Sequence, residues 1–168
     1  MNACLSILFV AISTLSAFGQ IDCEKSIRYT YDKYDDLYRL FTPRKNEKGE
    51  DNKMFFVKTI NKGITTYSVA LSVKSENPYP PMTDFVILFL GNRRIVRKDY
   101  TINVEVTKSE IPFSAFTAIP LDAKEVKMFQ EEIIDGFRIR ADDYEIDVTD
   151  ALQLRKEFEC LVKAKAPQ

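Results

Sequence analysis

The sequence predicts an α+β protein, mainly antiparallel β, built as a sandwich or open barrel with one or two C-terminal helices packed on it. Three observations point there. Segments of alternating apolar and polar residues recur between positions 26 and 119. A helix-start signal comes only afterwards, and no strand–helix–strand alternation occurs of the kind a parallel sheet requires. With 168 residues, 45% of them hydrophobic, the chain can bury one core in a single domain.

Before any strand comes a targeting segment. No charged side chain precedes Asp22, residues 5–12 (LSILFVAI) are strongly apolar, and Ala17-Phe18-Gly19 puts small residues at the −3 and −1 positions of a cut before Gln20. This is the layout of a secretory signal peptide over residues 1–19, ahead of a single β-rich domain over 20–168. The alternative is a retained anchor, but crossing a bilayer takes about 20 apolar residues and Ser and Thr interrupt this run early. Asp22 before Cys23 does not fit a lipoprotein signal. The mature chain is therefore expected to be exported, periplasmic or secreted, with no stable membrane span.

In the mature chain, Ile27, Tyr29 and Tyr31 alternate across a strand at 26–32, Asp35-Asp36 turns, and 37–42 (LYRLFT) returns before Pro43. Residues 44–53 are dense in charge and read as a solvated loop. A strand at 54–60, a turn at Asn61-Lys62-Gly63 and an alternating strand at 64–73 follow. Pro78, Pro80 and Pro81 deny ladder donors and make a rigid connection. The unbroken apolar run 85–90 (FVILFL) reads as a strand covered on both faces. Gly91-Asn92 supplies the hairpin turn, and strands are expected at 93–97, 101–106 and 113–119. Asp122 with Glu125 is a capping box, Leu121 with Val126 a hydrophobic staple, and Val126, Phe129 and Ile133 a helical stripe that Gly136 ends. A short strand at 137–141 precedes a final helix opened by Thr149, with the stripe Leu154, Phe158, Leu161 and Val162.

Removal of residues 1–19 takes Cys4 and leaves Cys23 and Cys160. In an oxidising compartment the two read as one disulfide, worth about 5 kcal/mol in the chain-entropy model. Two buried free thiols are the alternative. Cys160 lies off its helical stripe, which suits a bonded cysteine better than a core thiol.

What the composition excludes is informative. With no histidine, the chain can hold neither a Ser-His-Asp nor a Cys-His nucleophile system, nor an HExxH zinc site. A net charge of −1 without a long basic tract argues against nucleic acid. There is no GxGxxG, Walker, GxSxG or SxxK motif, and no cofactor or metal is expected. The acidic run 142–150 could offer oxygens to calcium, but it lacks the EF-hand glycine and terminal Glu, and a solvated turn before a helix accounts for it.

Two surface constellations remain. Tyr29, Tyr31, Tyr34 and Tyr38 with Asp35 and Asp36 could form a ligand face, rings stacking on sugars and carboxylates accepting hydroxyls; the simpler reading is strand aromatics partly buried on the core. Arg93, Arg94, Arg97 and Lys98 could form an anion patch, or merely protect an edge strand from aggregation.

The FGQ ending of the signal, the early Cys23, the turn Asp32-Lys33-Tyr34-Asp35, the Leu121–Val126 helix start and Glu159-Cys160-Leu161 near the C-terminus resemble small exported bacterial proteins of unknown function. The resemblance implies export and the disulfide, and no activity. The expected function is a non-catalytic exported binding or structural module for a protein, glycan or envelope component. The alternative is a small carboxylate-dependent, glycoside-type hydrolase, which would need one acid with a raised pKa in a cleft.

Overall fold

In the computed structural model, which describes residues 23–44, 53–108 and 110–166, the chain is mainly antiparallel β with helices late in the sequence. The elements are α1 (Cys23–Ser26), β1 (Arg28–Asp32), β2 (Leu37–Phe41), β3 (Met54–Asn61), β4 (Ile64–Ser75), β5 (Met82–Phe89), β6 (Arg94–Thr101), β7 (Asn103–Val106), β8 (Phe113–Leu121), α2 (Ala123–Glu131), β9 (Ile134–Ile139), β10 (Asp142–Glu145) and α3 (Val148–Lys163). One sheet runs β1-β2-β3-β4-β8-β7 and curls into a half-barrel; the other runs β10-β9-β5-β6. The chain crosses between sheets at buried Ile102, whose N–H donates to the Pro81 carbonyl at 2.9 Å.

Local chemistry explains the reversals. Lys62 and Gly63 take φ of +47° and +80°, which lets Asn61 pair directly with Ile64. Gly91 and Asn92, at +90° and +66°, reverse β5 into β6. The capping box at α2 is formed, with the Glu125 N–H donating to Asp122 at 2.8 Å and the Asp122 N–H to Glu125 at 3.0 Å.

The core lies between the sheets and under the two long helices. Phe129 of α2 sits at its centre, its ring centroid 5.1 Å from Phe56 of β3, 5.1 Å from Phe89 of β5 and 5.6 Å from Phe158 of α3. Edge-to-face and tilted rings at these spacings add to the area they bury. One contact docks the end of α3: buried Lys58 of β3 sends its Nζ to the Val162 and Ala164 carbonyls at 2.9 and 2.6 Å. A cation suits the negative end of a helix, where carbonyls lack intrahelical partners.

Several boundaries differ from those the sequence predicts. Helix α2 ends at Glu131, and Gly136 stands inside β9 rather than closing the helix. β9 begins at Ile134, earlier than expected, because it pairs with β5 on one side and β10 on the other. Helix α3 is capped by Asp147, which accepts from the N–H groups of Thr149 and Asp150, so Thr149 lies within the first turn. β5 buries Phe85, Ile87 and Phe89 but leaves Val86 and Leu88 half-buried, so one of its faces rather than both meets the core. Cys23 to Ser26 form a helical turn ahead of β1. The expected signal segment 1–19 and cut before Gln20, Cys4, and residues 45–52 of the charged stretch 44–53 lie outside the described residues.

Cys23 and Cys160 are bonded, with Cα atoms 5.2 Å apart across a sequence separation of 137 residues. Among the described residues no helix is long and apolar enough to cross a membrane.

Candidate functional site

The ligand face read from the sequence falls on the β1–β2 hairpin, which forms one end of the six-stranded sheet. In antiparallel pairing, directly opposed residues share a face. Tyr29 opposes Leu40 and Tyr31 opposes Tyr38, all on the core side; Arg28 opposes Phe41 and Thr30 opposes Arg39 on the other. Leu40 is buried and Tyr38 half-buried, but β1 runs past the core, so Tyr29 and Tyr31 remain 57% and 48% exposed. At the turn Tyr34 is 87% exposed, with the Lys33 ammonium 5.0 Å from its ring centroid.

The hairpin orders these rings. Tyr31 stacks on Tyr38 with centroids 4.4 Å apart and planes 27° from parallel. The Tyr31 hydroxyl donates to Asp36 at 3.3 Å, and the Tyr34 N–H to Asp32 at 3.0 Å. Asp36 itself takes φ of +48°, a left-handed conformation that Asp tolerates better than most residues. Desolvation, and then the Asp36 carboxylate, hold the Tyr31 phenol above its ordinary pKa, so it stays a neutral donor. Asp35 is exposed, and none of the described contacts brings it to the tyrosines.

Two grooves flank this edge. A shallow one of about 510 Å³ is lined by Thr30, Tyr31, Asp32, Lys33, Tyr34 and Arg39. The other, about 620 Å³, is lined by Ile27, Tyr29 and Leu40, by the Cys23–Cys160 bridge, and by Lys163, the last residue of α3, with Ala164 and Lys165 after it. Nothing in the sequence links the disulfide to the tyrosines; the fold makes Tyr29 and the bridge neighbours in one groove.

The proposed anion patch is not assembled. β6 is an edge strand, and alternation sends Arg93 and Arg97 to the side of Ile95, with Arg94 and Lys98 on the other. Arg93 pairs with Glu132. Arg97 meets Glu125 at 2.7 Å and donates to the Pro120 carbonyl at 3.2 Å, and the Glu125 bond raises the guanidinium pKa further. Two of the four cations thus anchor α2, Arg93 while still exposed and Arg97 half-buried; exposed Arg94 and Lys98 face the other way.

The acidic run 142–150 divides among local duties. Asp143 pairs with Arg138 through two bonds at 2.6 and 2.8 Å, which hold its carboxyl below the usual range. Asp147 caps α3. Asp142 accepts at 2.7 Å from Tyr79, a buried residue of the proline-rich connection that no pattern in the sequence marks. Because Tyr79 donates its one hydroxyl proton to Asp142, the Tyr144 hydroxyl, 2.8 Å away, is the donor to Tyr79. Burial and these partners push the Tyr79 phenol far above its ordinary value.

Compared with family models, curated proteins and solved structures, the chain matches none.

Proposed function

We propose that the chain is an exported, non-catalytic binding module that engages a protein, glycan or envelope component through the β1–β2 edge. The observation that carries this reading is the exposure of Tyr29, Tyr31 and Tyr34, at 57%, 48% and 87%, along one short edge strand and its turn. Exposed tyrosines give large, stiff, amphipathic contact area at low entropic cost. The nearby carboxylates support binding rather than turnover, since Asp32 and Asp36 accept bonds that orient Tyr34 and Tyr31. The carboxyl that burial does raise, Glu157, lines neither groove. The Cys23–Cys160 bridge suits an oxidising compartment, and the signal would be removed after Gly19 into the periplasm or beyond.

Glycan and peptide arrays probed with the exported protein and with a Tyr31→Ala/Tyr34→Ala variant test the reading. Binding is expected for the parent and lost in the variant while the circular dichroism spectrum is unchanged. Linear release of product from a bound glycan, abolished by an Asp→Asn or Glu→Gln change, would establish the hydrolase instead.

A further inference from the structure

We propose that the free edge of β1 takes up an extended segment of a partner protein as an added strand, with apolar side chains entering the groove beside the disulfide and acidic side chains meeting Arg28 and Arg39. This rests on the binding reading of the same edge and names the class of partner.

Three features converge on it. β1 pairs with β2 alone, so among the described residues its other edge presents backbone donors and acceptors without a strand. Such an edge is the template for strand addition, where main-chain bonds supply affinity and alternate side chains supply specificity. The two faces beside that edge differ in chemistry. On the core side lie Tyr29 and Leu40, with the groove of about 620 Å³ that they share with Ile27, the bridge and Ala164. On the outer side lie Arg28 and Arg39, both exposed. A strand laid there alternates its side chains between these faces, so the complementary sequence alternates apolar and acidic residues.

Charge fixes the sign and the position. Arg28, Arg39, Lys163 and Lys165 form no ion pair among the described residues. Among the described residues that line the groove there is no carboxylate. The end of α3, which would otherwise repel an acid, is already met by the Lys58 ammonium. Asp32, Asp35 and Asp36 crowd the turn, so the partner's acidic residues belong toward the Arg28 end.

The test titrates the isotope-labelled, disulfide-bonded protein with an acetylated, amidated peptide alternating Val and Glu. Saturable amide shifts and slowed hydrogen exchange are expected over residues 28–32. A Val/Lys peptide should bind about tenfold more weakly, and Arg28→Glu/Arg39→Glu should reverse that preference. A Val/Glu peptide N-methylated at alternate residues, which removes the ladder bonds without altering the protein, should not bind. Absence of saturable shifts at millimolar peptide, or binding indifferent to both N-methylation and charge, overturns the proposal. A glycan that shifts Tyr31 and Tyr34 when no peptide does also overturns it, yet leaves the binding module standing; product release sinks the module itself.

Discussion

Glu157 has a carboxyl group that folding takes out of water without a full set of partners. It is 2% exposed; one oxygen accepts from the Gln153 amide at 2.9 Å and the other, buried, has no hydrogen bond among the described residues. Desolvation raises its pKa, Asp150 adds to the rise, and the Gln153 bond opposes it. The folded state therefore keeps the proton to higher pH than the unfolded chain, whose ordinary value is 4.5. Below that value the group costs nothing; as pH rises through the folded pKa, stability falls. Glu157→Gln is expected to stabilise the protein at pH 7 by about 1 to 3 kcal/mol and to flatten that decline, as urea midpoints across pH would report. A destabilised variant at pH 7 would mean the carboxylate is paired. At this scale the sequence was legible where residues act alone or in chain-end pairs: the tyrosines and the two cysteines could be named from it. It was silent where a partner lies far along the chain. Tyr79 reaches Asp142 across 63 residues, and Lys58 reaches Val162 across 104. Composition flags neither tyrosine nor lysine as special until the fold brings the acceptor to it.

Among elements, Gly136 teaches why a glycine after an apolar stripe is an ambiguous stop. It stands in β9 opposite Glu145, and a Cβ there would lie 2.6 Å from the Tyr144 carbonyl oxygen and 3.4 Å from the Glu145 Cα. Close approach of β10, rather than backbone freedom, demands glycine; Gly63 and Gly91, by contrast, have positive φ and open space. Gly136→Ala should push β10 outward, strain the Tyr144–Tyr79–Asp142 chain and cost about 1 to 3 kcal/mol. Faster amide exchange at 142–145 with little change in β3 would confirm the mechanism, and an unchanged melting temperature would refute it. The strands were readable because period two is local. Their ends were not, because pairing decides them: β9 captures Ile134 through its bonds to β5, against the helical continuation that Ile133 suggested. The arginine cluster failed for a related reason. Four cations adjacent in sequence become two pairs on opposite faces once β6 is extended, and α2 neutralises one pair.

Across the whole molecule, two fastenings hold the chain's ends, and they are unequal. α3 is bound by Phe158 and Leu161, both fully buried, and by Lys58 at its terminal carbonyls. Among the described residues β1 has only β2 beside it, and four of its five residues are exposed. What ties its start to the body is α1 and the Cys23–Cys160 bridge, which also walls the larger groove. Breaking that bridge in a Cys23→Ser/Cys160→Ser variant frees the unfolded chain of a long closed loop and should lower stability by roughly 2 to 5 kcal/mol. The loss should not be uniform. Residues 28–32 should exchange their amide hydrogens near the unprotected rate at temperatures where α3 is still folded, because α3 keeps its core contacts and its lysine cap. Binding at the β1 edge should disappear in that same range, with the circular dichroism of the body retained. If β1 and α3 instead lose protection together at one free energy, the bridge acts only through the unfolded chain and the edge needs no separate anchor. If stability does not fall at all, the native bond stores as much constraint as it relieves, and the edge owes its order to β2 alone.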